Sequence, residues 1–155
     1  MQECRDHSRL HHRCVDANAA EMKPQPEVKT APVIAVVDDD PAVCNSLKFS
    51  LELEGFVVRI FHSPSELLAA DQCRKCGCLI IDQRMPEMSG MELIAHLRER
   101  KVATPAILIV SHLNAALGAR AASANVPIVE KPLLNNALVE KIREVYRGAS
   151  FAPPP

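Results

Sequence analysis

Residues 33–41 read VIAVVDDDP, five apolar residues that stop at three consecutive aspartates and a proline. A run this short, rich in β-branched residues and without polar alternation, fits a strand buried on both faces, as in a parallel sheet. Asp40 then offers a side-chain acceptor to the open amides of a helix start, and Pro41 needs no amide partner in the first turn. Val43, Leu47 and Leu51 recur on one face until Gly55, where the helix is expected to end. A buried strand running straight into an amphipathic helix is a βα unit, and it is written again further along.

Phe56–Phe61 (FVVRIF) predicts a second strand, and Ser63-Pro64-Ser65-Glu66 opens a helix with capping-box spacing. Cys78–Ile81 (CLII) predicts a third strand ending at Asp82, and a loop with Pro86 and Gly90 leads to a helix carrying Met91, Ile94 and Leu97. Ala106–Val110 predicts a fourth strand ending at Ser111, followed by an alanine-rich helix from about Asn114 to Ser123. Val126–Val129 is a brief fifth strand running into Glu130-Lys131-Pro132, and Leu134, Leu138, Ile142 and Val145 stripe a last helix. Alternating βα pieces of this size give an α/β fold, a doubly wound five-stranded parallel sheet with helices on both faces.

At 155 residues the chain has room for one domain, here expected over 32–147. Residues 1–31 lack a sustained apolar period and lead into KPQPEVKTAP, whose prolines break regular elements, so they read as a disordered leader or linker. Residues 148–155, closing on FAPPP, read as a disordered tail. The formal charge is −1, from 18 basic and 19 acidic residues, so no net field points toward nucleic acid or a membrane. No apolar run approaches the roughly 20 residues that span a bilayer, and the opening MQECRDHSRLHH has no secretion-signal core, which places the chain in the cytoplasm. Six cysteines in a chain that is 48% hydrophobic are expected to be thiols rather than staples. With no Trp, one Tyr and four Phe, no aromatic platform for stacking bases is available.

In an open α/β sheet ligands sit beyond the carboxyl ends of the strands, so the residues that terminate each apolar run carry the chemistry. Strand one ends in Asp38 and Asp39, strand three in Asp82, strand four in Ser111 and strand five in Lys131. Three converging carboxylates repel one another unless a cation neutralises them, and hard oxygen donors with open positions suit Mg²⁺. With the metal, Asp82 stays ionised and is competent as a nucleophile. Mg²⁺, a lysine and a short hydroxyl donor are the parts that neutralise a transferring phosphoryl group. Capping alone would account for any one of these residues, but four strand ends agreeing is hard to assign to capping.

The strings VVDDDPAV, LIIDQRMPEMSGMEL, LIVS and VEKP, in this order, resemble the signatures of the CheY-like response-regulator receiver family over about residues 32–147. The resemblance implies a flavodoxin-like fold, phosphorylation by a sensor histidine kinase, and hydrolysis of the acyl phosphate in place, with no other enzymatic activity. It makes Asp82 the 4-aspartylphosphate site, Ser111 the switch hydroxyl and Lys131 the lysine that pairs with the phosphoryl oxygen. It makes Asp38, Asp39, Asp82 and the backbone carbonyl of Arg84 the Mg²⁺ ligands, Asp39 being the more direct of the acidic pair. It further implies a cis Lys131–Pro132 bond and kinase docking near the first helix, around Val43, Cys44 and Leu47.

The sequence departs from the family in three places. The segment from Ser111 to Lys131 is about two residues short, a small residue after the switch hydroxyl is replaced by His112, and the aromatic ring of the fifth strand is replaced by Ile128. His112 is expected to turn outward, and a ring-flip readout is not available at Ile128. Cys4, His7, His11, His12 and Cys14, and separately Cys73, Cys76 and Cys78, do not form the two matched pairs of a zinc knuckle, and Cys73 and Cys76 precede a strand rather than opening a helix.

Two functions of different class follow. In the first, the chain is expected to act as a single-domain switch that signals through a downstream protein partner, since fewer than ten residues follow Tyr146 in this sequence and none of it reads as a DNA-binding output. In the alternative, the receiver fold serves binding or dimerisation with weak or no phosphorylation. A homodimer through the last helices fits either, and Ala115–Ala124 offers a flat, low-charge surface for it. The region from Asp38 to Phe61 also resembles receivers attached to DNA-binding outputs.

Overall fold

The computed structural model describes residues 33–133 and 136–148. The expected leader 1–31, Leu134 and residues 149–155 lie outside the described residues. The elements in chain order are β1 (Val33–Val37), α1 (Pro41–Leu53), β2 (Val57–Phe61), α2 (Pro64–Ala69), a 3₁₀ turn (Asp71–Lys75), β3 (Cys78–Asp82), α3 (Gly90–Glu99), β4 (Ala106–Val110), α4 (Ala115–Ser123), β5 (Ile128–Glu130) and α5 (Ala137–Gly148). All pairings are parallel and the strand order is β2-β1-β3-β4-β5. The order reverses between β1 and β3, and this switch point is where such sheets open a crevice at their carboxyl ends.

Strand alternation divides the core into two layers. Ile34, Val36, Cys78, Ile80, Ile107 and Ile109 face the layer shared with α1 and α5, represented by Cys44, Leu47, Leu51, Leu138 and Ile142. Ala35, Val37, Leu79, Ile81, Leu108 and Val110 face the layer under α2, α3 and α4, represented by Leu67, Leu93, Leu97 and Leu117. β1, β3 and β4 are therefore apolar on both faces, which is why they read as continuous runs.

The helix starts follow from local hydrogen bonding. Asp40 accepts the Ala42 amide at 2.9 Å and caps α1. Ser63 accepts the Glu66 amide, while the Glu66 carboxylate reaches His62 N rather than the cap residue itself, so the capping box is displaced by one residue. Ser89 and Glu92 form a complete box at α3.

Two strand boundaries differ from the sequence expectation. Phe56 donates to Leu51 O at 3.2 Å and belongs to the end of α1, beside Gly55 at φ 92°. Val126 donates to Ala121 O at 2.8 Å, after Asn125 at φ 55°, so it closes α4, and β5 starts at Ile128. In both cases an apolar residue that looked like strand is claimed by the carbonyls of the preceding helix end.

At the amino end of the sheet, Gly77 donates to Val33 O at 2.8 Å, and a Cβ there would collide with the Tyr146 ring of α5. Cys44, Cys73, Cys76 and Cys78 are buried and reduced. Among the described residues no helix is long and apolar enough to cross a membrane.

Candidate active site

Asp38, Asp39 and Asp82 are brought together at the switch point, each offering an oxygen within 4.8 Å of the others. Asp38 is 3% exposed, and its Oδ1 accepts the Asp40 amide at 2.9 Å, which fixes the carboxylate just beyond β1. Asp39, next in the chain, is exposed. Asp82 is 6% exposed, and its Oδ2 accepts the Arg84 amide at 3.1 Å. That bond holds Arg84, the residue expected to lend a backbone carbonyl, one turn from the carboxylate.

Lys131 arrives from β5. Its amide donates to Val110 O at 2.8 Å, and its Nζ lies 2.9 Å from Asp82 Oδ1 and 3.8 Å from Asp38 Oδ2. The Lys131–Pro132 bond is cis, as the resemblance implied. Burial pulls the Lys131 ammonium down, but the hydrogen bond and charge of Asp82, together with Asp38, outweigh it and the net shift is upward. Burial raises Asp38 to about 6, and Asp82 and Asp39 push the same way against the Asp40 amide and Lys131. One ammonium thus pairs with two of the three clustered carboxylates, Asp82 and Asp38.

An all-oxygen donor set with a deficit of positive charge fits a hard divalent cation, so the residues present suit Mg²⁺.

Ser111 stands beyond β4 and is exposed, and its hydroxyl makes no hydrogen bond among the described residues. The structure therefore gathers Asp38, Asp39, Asp82 and Lys131, with Arg84 tied to Asp82, and leaves Ser111 beside them without a bond. His112 is exposed, as expected, yet it lines a cleft of about 750 Å³ together with Asp39, Arg84 and Arg120. It borders the way to the acidic cluster instead of plugging it. Ile128 is partly buried against the α3–α4 layer.

Of the docking residues expected on α1, Val43 and Leu47 line a groove of about 680 Å³ shared with Leu133 and Val139. Cys44 does not line it. It is fully buried, with Sγ 3.2 Å from Asp38 O, because its position on the helix faces the sheet.

Gln83, which the sequence does not single out, and Gly90, expected only as a loop residue, fasten the loop after Asp82. Gln83 donates its amide to Ile109 O at 2.9 Å, accepts the Gly90 amide on its carbonyl at 3.1 Å, and accepts the Met91 amide on its side chain at 3.1 Å. Gly90 packs so closely that a Cβ would sit 2.7 Å from Asp82 O. The spacing Ser89-x-x-Glu92 was the available signal that a helix must start there. The side-chain cap from Gln83 carries no comparable local pattern.

The response regulator receiver domain family matches residues 34–143. The transcriptional regulatory protein FixJ of Rhizobium meliloti is 36% identical over 110 residues, covering 70% of this chain and 54% of FixJ. The response regulator protein TodT of Pseudomonas putida is 37% identical over 120 residues, covering 77% of this chain and 53% of TodT. The chain thus spans about half the length of the curated relatives it matches. Among solved structures, FixJ-N superposes with a TM-score of 0.68 at 31% identity, covering 77% of this chain and 96% of that one. The response regulator StyR gives 0.70 at 33% identity, covering 76% of this chain and 60% of that one. The chemotaxis protein CheY4 of Vibrio cholerae, at 20% identity and a TM-score of 0.69 over 75% of this chain and 99% of that one, supports the fold alone.

Proposed function

Because the chain belongs to the response regulator receiver domain family, we propose that Asp82 accepts a phosphoryl group from a sensor histidine kinase and that Asp38, Asp39 and Asp82, with the Arg84 carbonyl, hold Mg²⁺. The observation that carries this reading is Lys131 Nζ, 2.9 Å from Asp82 Oδ1 inside a cluster of three carboxylates. Each Asp82 oxygen has one partner, Lys131 or Arg84 N, and keeps a lone pair for attack.

In the transfer an Asp82 oxygen bonds to phosphorus while the bond from phosphorus to the kinase imidazole breaks. When bound, Mg²⁺ supplies positive charge to the phosphoryl oxygens. Lys131 moves from the carboxylate oxygen to a phosphoryl oxygen, and the Ser111 hydroxyl donates to another. Hydrolysis returns Asp82 to the carboxylate and releases phosphate. Kinase docking uses the α1 groove around Val43 and Leu47, which begins at Lys131 and so opens beside the acceptor.

The output is a protein surface altered when Ser111 turns toward the phosphoryl group and carries residues 112–125 with it. With Ile128 in β5 the change is reported by this segment and not by a ring. A cytoplasmic setting follows from kinase-driven phosphorylation. Incubation with acetyl phosphate followed by intact mass tests the reading. One added phosphoryl group that requires Mg²⁺ and is lost in Asp82→Asn is expected. No gain, or a gain that survives Asp82→Asn, would exclude it.

A further inference from the structure

α4 brings a positive charge to the mouth of the site that the transfer chemistry leaves unused. Asn114 Oδ1 accepts the Leu117 amide at 2.8 Å, and Leu117 is buried in the core, so the rotation of α4 is set from its first turn. Ala116 and Arg120, four apart on one face, both border the cleft of about 750 Å³ that reaches Asp39. Arg120 is exposed, and its guanidinium makes no ion pair or hydrogen bond with the described residues. Arg84, on the loop from β3, lines the same cleft, and its side chain likewise makes no ion pair or hydrogen bond with the described residues. Lys131, by contrast, is committed to Asp82 and Asp38. Both arginines thus line the cleft that reaches Asp39, at the edge of the acidic cluster. The cleft volume lies in the roughly 300–1,000 Å³ range of small-ligand sites.

We propose that Arg120, with Arg84, forms a second anion subsite that holds the non-transferred part of a small acyl phosphate carrying a further carboxylate or phosphate. This donor role rests on the transfer reading above. An Asp82 oxygen bonds to phosphorus, the bond from phosphorus to the acyl oxygen breaks, and the acyl carboxylate leaves with the electron pair, so no proton is needed. The further anion rests against the guanidinium, whose fork suits a planar carboxylate or a phosphate.

Calorimetric titration with phosphonopropionate and with propylphosphonate, in Mg²⁺ at low ionic strength, separates the subsite from the phosphoryl position. The two probes share a phosphonate head and chain length, and only the first bears a carboxylate. Phosphonopropionate should bind roughly 3- to 10-fold more tightly, the size of one or two exposed ion pairs, with the ratio shrinking as salt is added. Arg120→Gln should bring the ratio toward unity, and Arg120→Lys should keep part of it. An unchanged melting temperature establishes that the variants fold.

Equal affinities in the unaltered protein, or a ratio untouched by Arg120→Gln, would overturn the subsite. If acetyl phosphate labels Asp82 while the phosphonates bind alike, the subsite fails and the transfer reading stands. If the ratio is present but no acyl phosphate labels Asp82, the transfer reading fails and takes the donor role with it.

Discussion

Asp82 and Lys131, at the ends of β3 and β5, meet at 2.9 Å across the end of β4, which lies between them in the sheet. The end of β4 itself is barely held. Ser111, His112, Leu113 and Asn114 are all exposed, and among the described residues their one side-chain hydrogen bond runs from Leu117 N to Asn114. In the proposed transfer, the flanking strands set out the charges that would have to be in place before a phosphoryl group arrives, and the middle strand carries the hydroxyl and the helix whose rearrangement would report its arrival. Preorganised charge lowers the barrier because nothing has to reorient during the reaction. A reporting segment has to be drawn from the weakly fastened part of the fold.

The largest expected effect comes from breaking the fastened half. Lys131→Met leaves Asp82 and Asp38 without their ammonium, and labelling of Asp82 by acetyl phosphate should slow by roughly 10²- to 10³-fold, as for loss of one preorganised donor. A stopped-flow or mass time course at saturating Mg²⁺ measures it, and a change of less than about tenfold would mean that Lys131 is not part of the transfer chemistry.

Next in size is the buried charge on Asp38. Its folded value is raised from 3.8 to about 6, so between those values the folded state binds the proton more tightly than the unfolded chain. The contribution of Asp38 to the stability of the metal-free protein should therefore fall as pH rises through that window and stay lowered above it. Asp38→Asn should remove this slope and stabilise the metal-free protein at neutral pH by on the order of 2 kcal/mol, while weakening Mg²⁺ binding. Urea titrations across pH with a chelator present, on the unaltered protein and on Asp38→Asn, test the sign, and a stability difference between the two that does not grow in favour of Asp38→Asn as pH rises through that window would refute it.

The smallest effect belongs to the loose half. Asn114→Ala removes the cap of α4 and should cost about 1 kcal/mol, seen as faster amide exchange confined to α4, with the labelling rate of Asp82 far less affected than in Lys131→Met. Slowed labelling as large as that of Lys131→Met would erase the distinction between the two halves.

The residues of the fastened half were legible because strand ends and acidic runs are local signals. VIAVVDDDP places Asp38 and Asp39 at a carboxyl end without reference to any other part of the chain. What depends on helix ends was read less well. Val126 has the composition of a strand residue, yet its amide is taken by Ala121 O, a competition that apolar patterning does not express. Cys44 sits in the expected docking helix but faces Asp38 O, because position on the helix face and not proximity decides exposure. The 3₁₀ turn Asp71–Lys75 was not anticipated. The buried Cys73 within it and Cys76 just after it match neither a helical nor a strand period. The Gly77–Tyr146 contact joins residues far apart in sequence and carries no local mark.

The most direct test of the account is to locate the acyl phosphate itself. After incubation with acetyl phosphate and Mg²⁺, borohydride reduction converts an aspartyl phosphate to homoserine, and peptide mass spectrometry reports its position. The account predicts homoserine at position 82 and at no other aspartate, appearing only when Mg²⁺ is present. Homoserine at position 38 or 39, or a labelled protein in which position 82 remains aspartate, would contradict it.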